Sequence, residues 1–267
     1  ALPQGTPESR RQTLQRALQQ AELGLGNATL TVRPWRRPAL RLSQVQMRNL
    51  NSGSLHRLRI EAGLEGMGNL RIMADMRAEQ VLDPKAWSGS TFISIPEADW
   101  TAWIPSLPEG VTLSRLKTGG RLWTEWQAGK PKTLQVSLQN ADALGAYQNR
   151  PITVSALNAD LSLRLQQAGW EAALMPRDGR VNGQVLPWRV LITGKQGDDW
   201  SLGGQALHLQ PLTDLLRQFP LPPKLGTLLT ELKPVGYLPA FSLRWRQAPD
   251  QPWILQLLKA DIRQLSW

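Results

Sequence analysis

A chain of 267 residues with 41% hydrophobic and 19% charged residues can build one or two domains with a sizeable core, and its composition is that of a folded protein. The absence of Cys removes disulfides, thiolate metal sites and Cys nucleophiles together, and no run of 18 apolar residues occurs that would cross a membrane as a helix. A formal charge of +10 invites a nucleic-acid reading, but Arg41, Arg57, Arg59, Arg71, Arg77, Arg164 and Arg244 stand singly among apolar neighbours, as on the solvated face of a sheet, so no nucleic-acid partner is expected.

The first predicted element is a helix near Pro7 to Leu23. Thr6 can cap it, Pro7 suits its first turn, and Leu14, Ala17, Leu18 and Ala21 form one narrow apolar stripe. Gly24 and Gly26 are read as its terminators. Beyond them the period changes to two. "ALRLSQVQM" changes phase between Leu42 and Val45, which predicts a bulge at Ser43 or Gln44. Leu58, Ile60, Ala62 and Leu64 alternate with Arg59 and Glu61; after "EGMGN", Leu70, Ile72, Ala74 and Met76 alternate with Arg71, Met73, Asp75 and Arg77. That is an antiparallel hairpin with one apolar and one wet face. Leu134, Val136 and Leu138 continue the pattern, as do Leu157, Ala159, Leu161, Leu163 and Leu165.

Two segments bounded by Pro interrupt the strands. "EADWTAWIPSLPEG" and "PLTDLLRQFPLPPK" place Asp99 opposite Asp214 and Pro105 opposite Pro220. Short helices are expected near Asp99 to Ile104 and Pro211 to Leu232, each capped or charged by its Asp and ended by the first Pro, with a second one at Lys224 to Leu232. The following phrases also match: "LSRLKTGGRLWTEW" answers to "LTELKPVGYLPAFSLRW", and "LQNAD" to "LLKAD". A unit of strand, short helix, turn and strand pair is thus written twice, at roughly 91–142 and 205–261, the mark of stacked similar units. The expected organisation is an N-terminal helix with a hairpin over 1–90, a first repeat with following strands over 91–204 and a second repeat over 205–267, all within one continuous elongated domain.

Little catalytic chemistry is visible. His56 and His208 lie far apart among strand residues with no carboxylate at ligand spacing, so neither a metal nor a cofactor is expected. "TGKQGDD" lacks the Gly and the Ser/Thr of a phosphate loop, and Asp198 and Asp199 are read as a hairpin turn instead of a carboxylate pair. The chain is expected not to be an enzyme. With 12 Trp against 3 Phe and 2 Tyr, Trp either fills gaps in a sheet or stacks on a ligand; Trp100, Trp103, Trp123 and Trp126 fall inside the repeated phrase, which favours architecture.

The repeated phrases, the Trp usage and the amphipathic strands resemble the AsmA-like family of Gram-negative envelope proteins, in its YhdP branch. "FISIPEADWTAWIPSLP" is similar to that branch's strand and Asp-x-x-x-Trp helix, "LKTGGRLWTEW" to its Gly-centred strand, and "VSALNADLSLRLQQAGWEAAL" to its alternating strand pair. The long stretch "GQALHLQPLTDLLRQFPLPPKLGTLLTELKPVGYLPAFSLRW" and "KADIRQLSW" resemble its recurring unit; the likeness is good over 86–267 and looser over 14–77. The resemblance implies a mainly β fold, an elongated and strongly twisted antiparallel sheet forming a U-shaped groove, with a few short peripheral helices. It implies a periplasmic segment of a protein tethered to the inner membrane by a helix not contained in these residues. It also implies a role in carrying glycerophospholipids between inner and outer membranes, with no catalytic residues.

Exposing two acyl chains to water costs about 0.8 kcal/mol per CH₂, on the order of 20 kcal/mol in all. A continuous apolar face removes much of that barrier. The residues expected to line it are Leu58, Ile60, Leu64, Leu70, Ile72, Met76, Leu134, Val136, Leu138, Leu157, Leu161, Leu163 and Leu165. The expected partners are phospholipid acyl chains, with membrane lipids met by other parts of the protein and envelope proteins as further partners. The same alternation is compatible with a core closed by a second layer, and two other functions stay open: a β-repeat scaffold for envelope proteins, and a glycan-binding module using Trp.

Overall fold

The computed structural model describes residues 20–33, 38–79, 83–104, 107, 109–219, 233–248 and 254–266, together with Glu8, Thr227 and Glu231. In chain order the strands are β1 (Glu22–Val32), β2 (Leu40–Ser52), β3 (Leu55–Leu64), β4 (Gly68–Arg77), β5 (Ser88–Asp99), β6 (Val111–Gln127), β7 (Lys130–Tyr147), β8 (Arg150–Gln166), β9 (Gly169–Val181), β10 (Gln184–Val185), β11 (Val190–Gln196) and β12 (Asp199–His208). Helix α1 (Leu209–Leu216) follows, then β13 (Val235–Arg246), β14 (Ile254–Ala260) and β15 (Arg263–Ser266). Single 3₁₀ turns lie at Pro84–Ala86 and Thr101–Trp103.

The protein is mainly β. Its strands form one open antiparallel sheet whose order follows the chain from β1 to β9, then β11 to β14, with β10 added to β9 and β15 to β13. Among the described residues β1 and β14 do not pair, so the sheet does not close into a barrel. Two compact units divide the chain: residues 1–96 with 120–134, and residues 97–119 with 135–267.

Several neighbours in sequence are joined by two-residue hairpins. Ala128 and Gly129 join β6 to β7 with φ of 48° and 72°, and Gln148 and Asn149 join β7 to β8 with 47° and 64°. Positive φ at both central positions matches the right-handed twist of the flanking strands. The "GDD" segment is the hairpin turn expected of it, with Gly197 at φ 58° between β11 and β12.

Bulges interrupt several of these strands. In the first unit Asn27 and Gln44 have φ of 52° and 49°, and the pairing of β2 with β3 shifts between Ser43 and Gln46, where the phase change predicted it. In the second unit Asn140, Ala156 and Gly179 take positive φ on β7, β8 and β9. Amides at and beside these positions are satisfied by side chains: Asn140 N–H donates to Asn158 Oδ1 (3.1 Å), Ala156 N–H to Asp142 Oδ1 (2.8 Å), and Asn158 N–H to Asp178 Oδ1 (3.2 Å). Each bulge bends its strand locally, and the Asx side chains replace the ladder bonds it breaks.

Over the two matching phrases the element order is β5, a 3₁₀ turn, β6 and β7, and β12, α1, β13 and β14. Asp99 accepts from the Thr101 N–H (2.9 Å), which nucleates the turn as expected. Asp214 does not play that part. It sits inside α1, whose N-cap is His208, and pairs with Arg217 (3.8 Å). The two segments are therefore not equivalent residue for residue. The helix expected near Pro7 to Leu23 does not reach Leu23: Glu22 and Leu23 already belong to β1, and Gly24 and Gly26 lie within that strand. The rest of that expectation, and most of the one at Lys224 to Leu232, falls outside the described residues; Glu8, Thr227 and Glu231, which are described, are helical.

Candidate functional site

Directly paired residues on neighbouring antiparallel strands share a face, so the register assigns every side chain of the second unit to one side. Leu165, Trp170, Lys195, Trp200 and Trp245 form one rung across β8, β9, β11, β12 and β13. Leu163, Ala172, Thr193, Leu202 and Leu243 form the next, and Leu161, Leu174, Leu191, Gly204 and Phe241 the third. Gly204 is needed because the Phe241 ring lies across it: a Cβ there would stand 2.7 Å from Phe241 Cε1 and 2.6 Å from the Val190 carbonyl oxygen. Leu161, Leu163, Leu165, Trp170, Leu174, Leu202, Leu243 and Trp245 are all half-buried. A face closed by a second packed layer would bury them.

The opposite face of the same strands carries the charged residues, with Ile192 and Met175 exposed among them. Arg164, Glu171, Gly194, Ser201 and Arg244 fall on one of its rungs, with Arg164 3.9 Å from Glu171. Asp199 accepts from Arg246 Nε at 2.8 Å, and that guanidinium holds its carboxyl below the usual range. Arg177 reaches both Asp160 (3.2 Å) and Ser137 (3.0 Å).

The first unit repeats the division. Leu25, Met47, Ile60, Ile72 and Ile93 form one rung across β1 to β5, and Asn49, Leu58, Ala74 and Thr91 the next. Trp126 Nε1 donates to Thr91 Oγ1 at 3.1 Å. On the other side Glu61 accepts from Arg59 and lies 3.0 Å from Arg71; its hydrogen bond with Arg59 is the leading reason its carboxyl is held low. Arg57 and Asp75 approach to 3.5 Å, and Arg48 donates to Glu22 at 2.8 Å. The scattered Arg residues are thus the solvated side of the ladder.

The thirteen residues singled out as groove lining divide between the units. Leu58, Ile60, Leu70 and Ile72 share the apolar face of β3 and β4 and are half-buried, while Leu64 (4% exposed) and Met76 (8%) on the same strands are buried. Leu134 lies in the first unit, and Val136 and Leu138 in the second, all half-buried on β7. Leu157 lies beside the bulge of β8, next to Gly179, apart from the regular rungs of Leu161, Leu163 and Leu165. Sequence reasoning missed the β9 to β13 half of the face, whose signal is the alternation in "WEAAL", "VLITGK", "WSLGG" and "FSLRW".

The histidines are used in packing. His56 bridges Asn51 Oδ1 (2.7 Å) and the Ala78 carbonyl (3.0 Å), and His208 lies against the Tyr237 ring at 4.9 Å. Among the described residues no three His, Asp or Glu side chains are placed to hold a metal, and no helix is long and apolar enough to cross a membrane.

Comparison with known proteins settles the relationship. The family model described as YhdP protein matches residues 2–267. The chain belongs to the YhdP family. No curated protein and no solved structure matches this YhdP-family chain. Membership covers both compact units, so the two apolar faces and their charged reverse sides are features of one family segment.

Proposed function

We propose that the chain is a non-enzymatic segment of a lipid conduit, whose apolar sheet faces shield the acyl chains of glycerophospholipids moving between the inner and outer membranes. The observation that carries this reading is the half-exposure of three successive apolar rungs across β8 to β13. Five strands about 4.8 Å apart and three rungs about 6.8 Å apart give a patch of roughly 250 Å². Covering it with hydrocarbon is worth on the order of 6 kcal/mol at about 25 cal/mol per Å². That offsets a useful part of the cost of drawing chains from a membrane, yet Leu, Ile, Phe and Val contacts are non-directional and allow sliding. Membership of the YhdP family supports the phospholipid-transport part of the reading. The segment would then work in the periplasm, tethered to the inner membrane by another part of its protein.

The test is photo-crosslinking from single positions in cells. A photoreactive residue at Leu163 or Ile60 is expected to capture phospholipid, and one at Ser162 or Arg59, on the reverse face, is not. Equal capture from both faces, or none from either, would remove the conduit.

One observation favours a scaffold instead. β14 leaves Leu258 65% exposed and Ile254 58% exposed at the end of the sheet, a surface suited to protein. Native mass spectrometry separates the two, since a scaffold carries protein and no lipid.

A further inference from the structure

Lys195 is the one charged residue in the three apolar rungs of the second unit, and its surroundings are specific. The register places it between Trp170 and Trp200, with Trp245 next in the same rung. The Trp170 and Trp200 rings meet edge to face at 6.2 Å, Trp245 stacks on Trp200, and Lys195 Nζ lies 5.0 Å from the Trp200 ring centre. Among the described residues no carboxylate lies within ion-pair distance of Lys195. On the reverse face Arg164, Arg177 and Arg246 each have an acidic partner, and Arg244 stands there without one among the described residues. The rung is also the outermost of the three: Gln196 and Asp199 close the hairpin one residue beyond it. Apolar rows thus end in a line of indoles around a single ammonium, where the strand ends meet water.

An ammonium on an apolar face is costly unless something offsets it, and the cation–π contact with Trp200 does so only in part. Indole is the side chain that suits a boundary between hydrocarbon and water, with an apolar body and an N–H donor. We infer that Lys195, framed by Trp170, Trp200 and Trp245, is the contact for the phosphodiester of a lipid whose acyl chains lie on the Leu163 and Leu161 rungs. This rests on the conduit reading and adds to it a fixed orientation: headgroup at the hairpin end of β11 and β12, tails toward Phe241. The complementarity is between one unpaired positive charge and one phosphate negative charge, so the site selects lipids by phosphate and is indifferent to what the phosphate is esterified to.

The experiment compares binding of short-chain phosphatidylglycerol and of a diacylglycerol with the same acyl chains to the full chain, read by Trp fluorescence. The wild-type protein is expected to bind the phospholipid roughly tenfold more tightly, the scale of a charge-assisted hydrogen bond. Lys195→Met should abolish that preference without weakening diacylglycerol binding, and Lys195→Arg should retain it. A tenfold preference that survives Lys195→Met overturns the inference while the conduit stands. Failure of wild-type protein to bind either lipid overturns both. Amine-acylation footprinting of wild-type protein gives a second reading free of any substitution: the phospholipid should protect Lys195 and diacylglycerol should not. Equal protection by millimolar inorganic phosphate alone would assign a free-anion site and remove the lipid from the inference.

Discussion

Trp200 and Trp245 sit opposite each other on β12 and β13 with their rings 8° from parallel and their centres 6.1 Å apart. Stacked indoles at this distance couple their electronic transitions, and the pair adds about 1 kcal/mol beyond its area burial. Trp245→Leu is therefore expected to weaken the coupled Trp signal in circular dichroism, leaving the share of the Trp170–Trp200 pair, and to lower stability by about 1–2 kcal/mol in urea unfolding. A variant with the coupled signal intact would show that the rings do not meet in solution.

Gly204 makes the opposite demand, for space. A methyl group there meets the Val190 carbonyl oxygen as well as the Phe241 ring, and the backbone atom cannot swing aside. Gly204→Ala should cost about 2 kcal/mol, the scale of an overpacked site. The neighbouring Gly203, on the reverse face, would meet the Phe241 carbonyl oxygen at 3.2 Å and Ser242 Cα at 3.9 Å, so Gly203→Ala should cost clearly less. Chemical denaturation of both variants checks the order.

Much of this was legible in the sequence where a period of two runs unbroken. The β3–β4 hairpin reads directly because Leu58 to Leu64 and Leu70 to Met76 alternate with charged residues that later prove to be ion-paired. Gln44 reads as a bulge because the alternation changes phase there. β1 was misread since Gly24 and Gly26 look like helix terminators, whereas Leu23 and Leu25 pair with Asn49 and Met47 of β2. The positive-φ positions Asn140, Ala156 and Ala206 carry no glycine and left no mark. Lys195 was hidden for a related reason: a charge within "VLITGK" looks like the end of an apolar strand, and only the register places it beside three Trp residues.

Ala128 offers a stabilising substitution. It is the first central residue of the β6–β7 hairpin, with φ 48°, followed by Gly129 at φ 72°. The left-handed region costs Ala about 1–2 kcal/mol, whereas Asn tolerates it and Asn-Gly is the preferred pair for this turn. Ala128→Asn should raise stability by about 0.5–1 kcal/mol without changing the slope of urea unfolding.

The pH dependence follows from Glu97 and Lys117, whose Nζ and Oε1 are 2.8 Å apart. The hydrogen bond from Lys117 is the main reason Glu97 is held below its ordinary 4.5, with Asn140 donating a second bond; the same contact raises Lys117 above its ordinary 10.5. A depressed carboxyl stabilises the fold above its unfolded value and loses that contribution as pH falls through the lower folded value. A raised amine stabilises below its unfolded value and loses its contribution as pH rises through the higher folded one. The pair therefore contributes in full between about pH 5 and pH 10 and fades at both ends, more weakly in high salt because both groups are exposed. Asp199, held low by Arg246, adds to the acid limb alone through its own carboxyl. Thermal unfolding across pH 3–7 should fall less steeply on the acid side in Glu97→Gln than in the wild-type protein, with the two curves approaching each other at the lowest pH. Parallel curves would mean that this carboxylate is no better placed in the fold than in the unfolded chain.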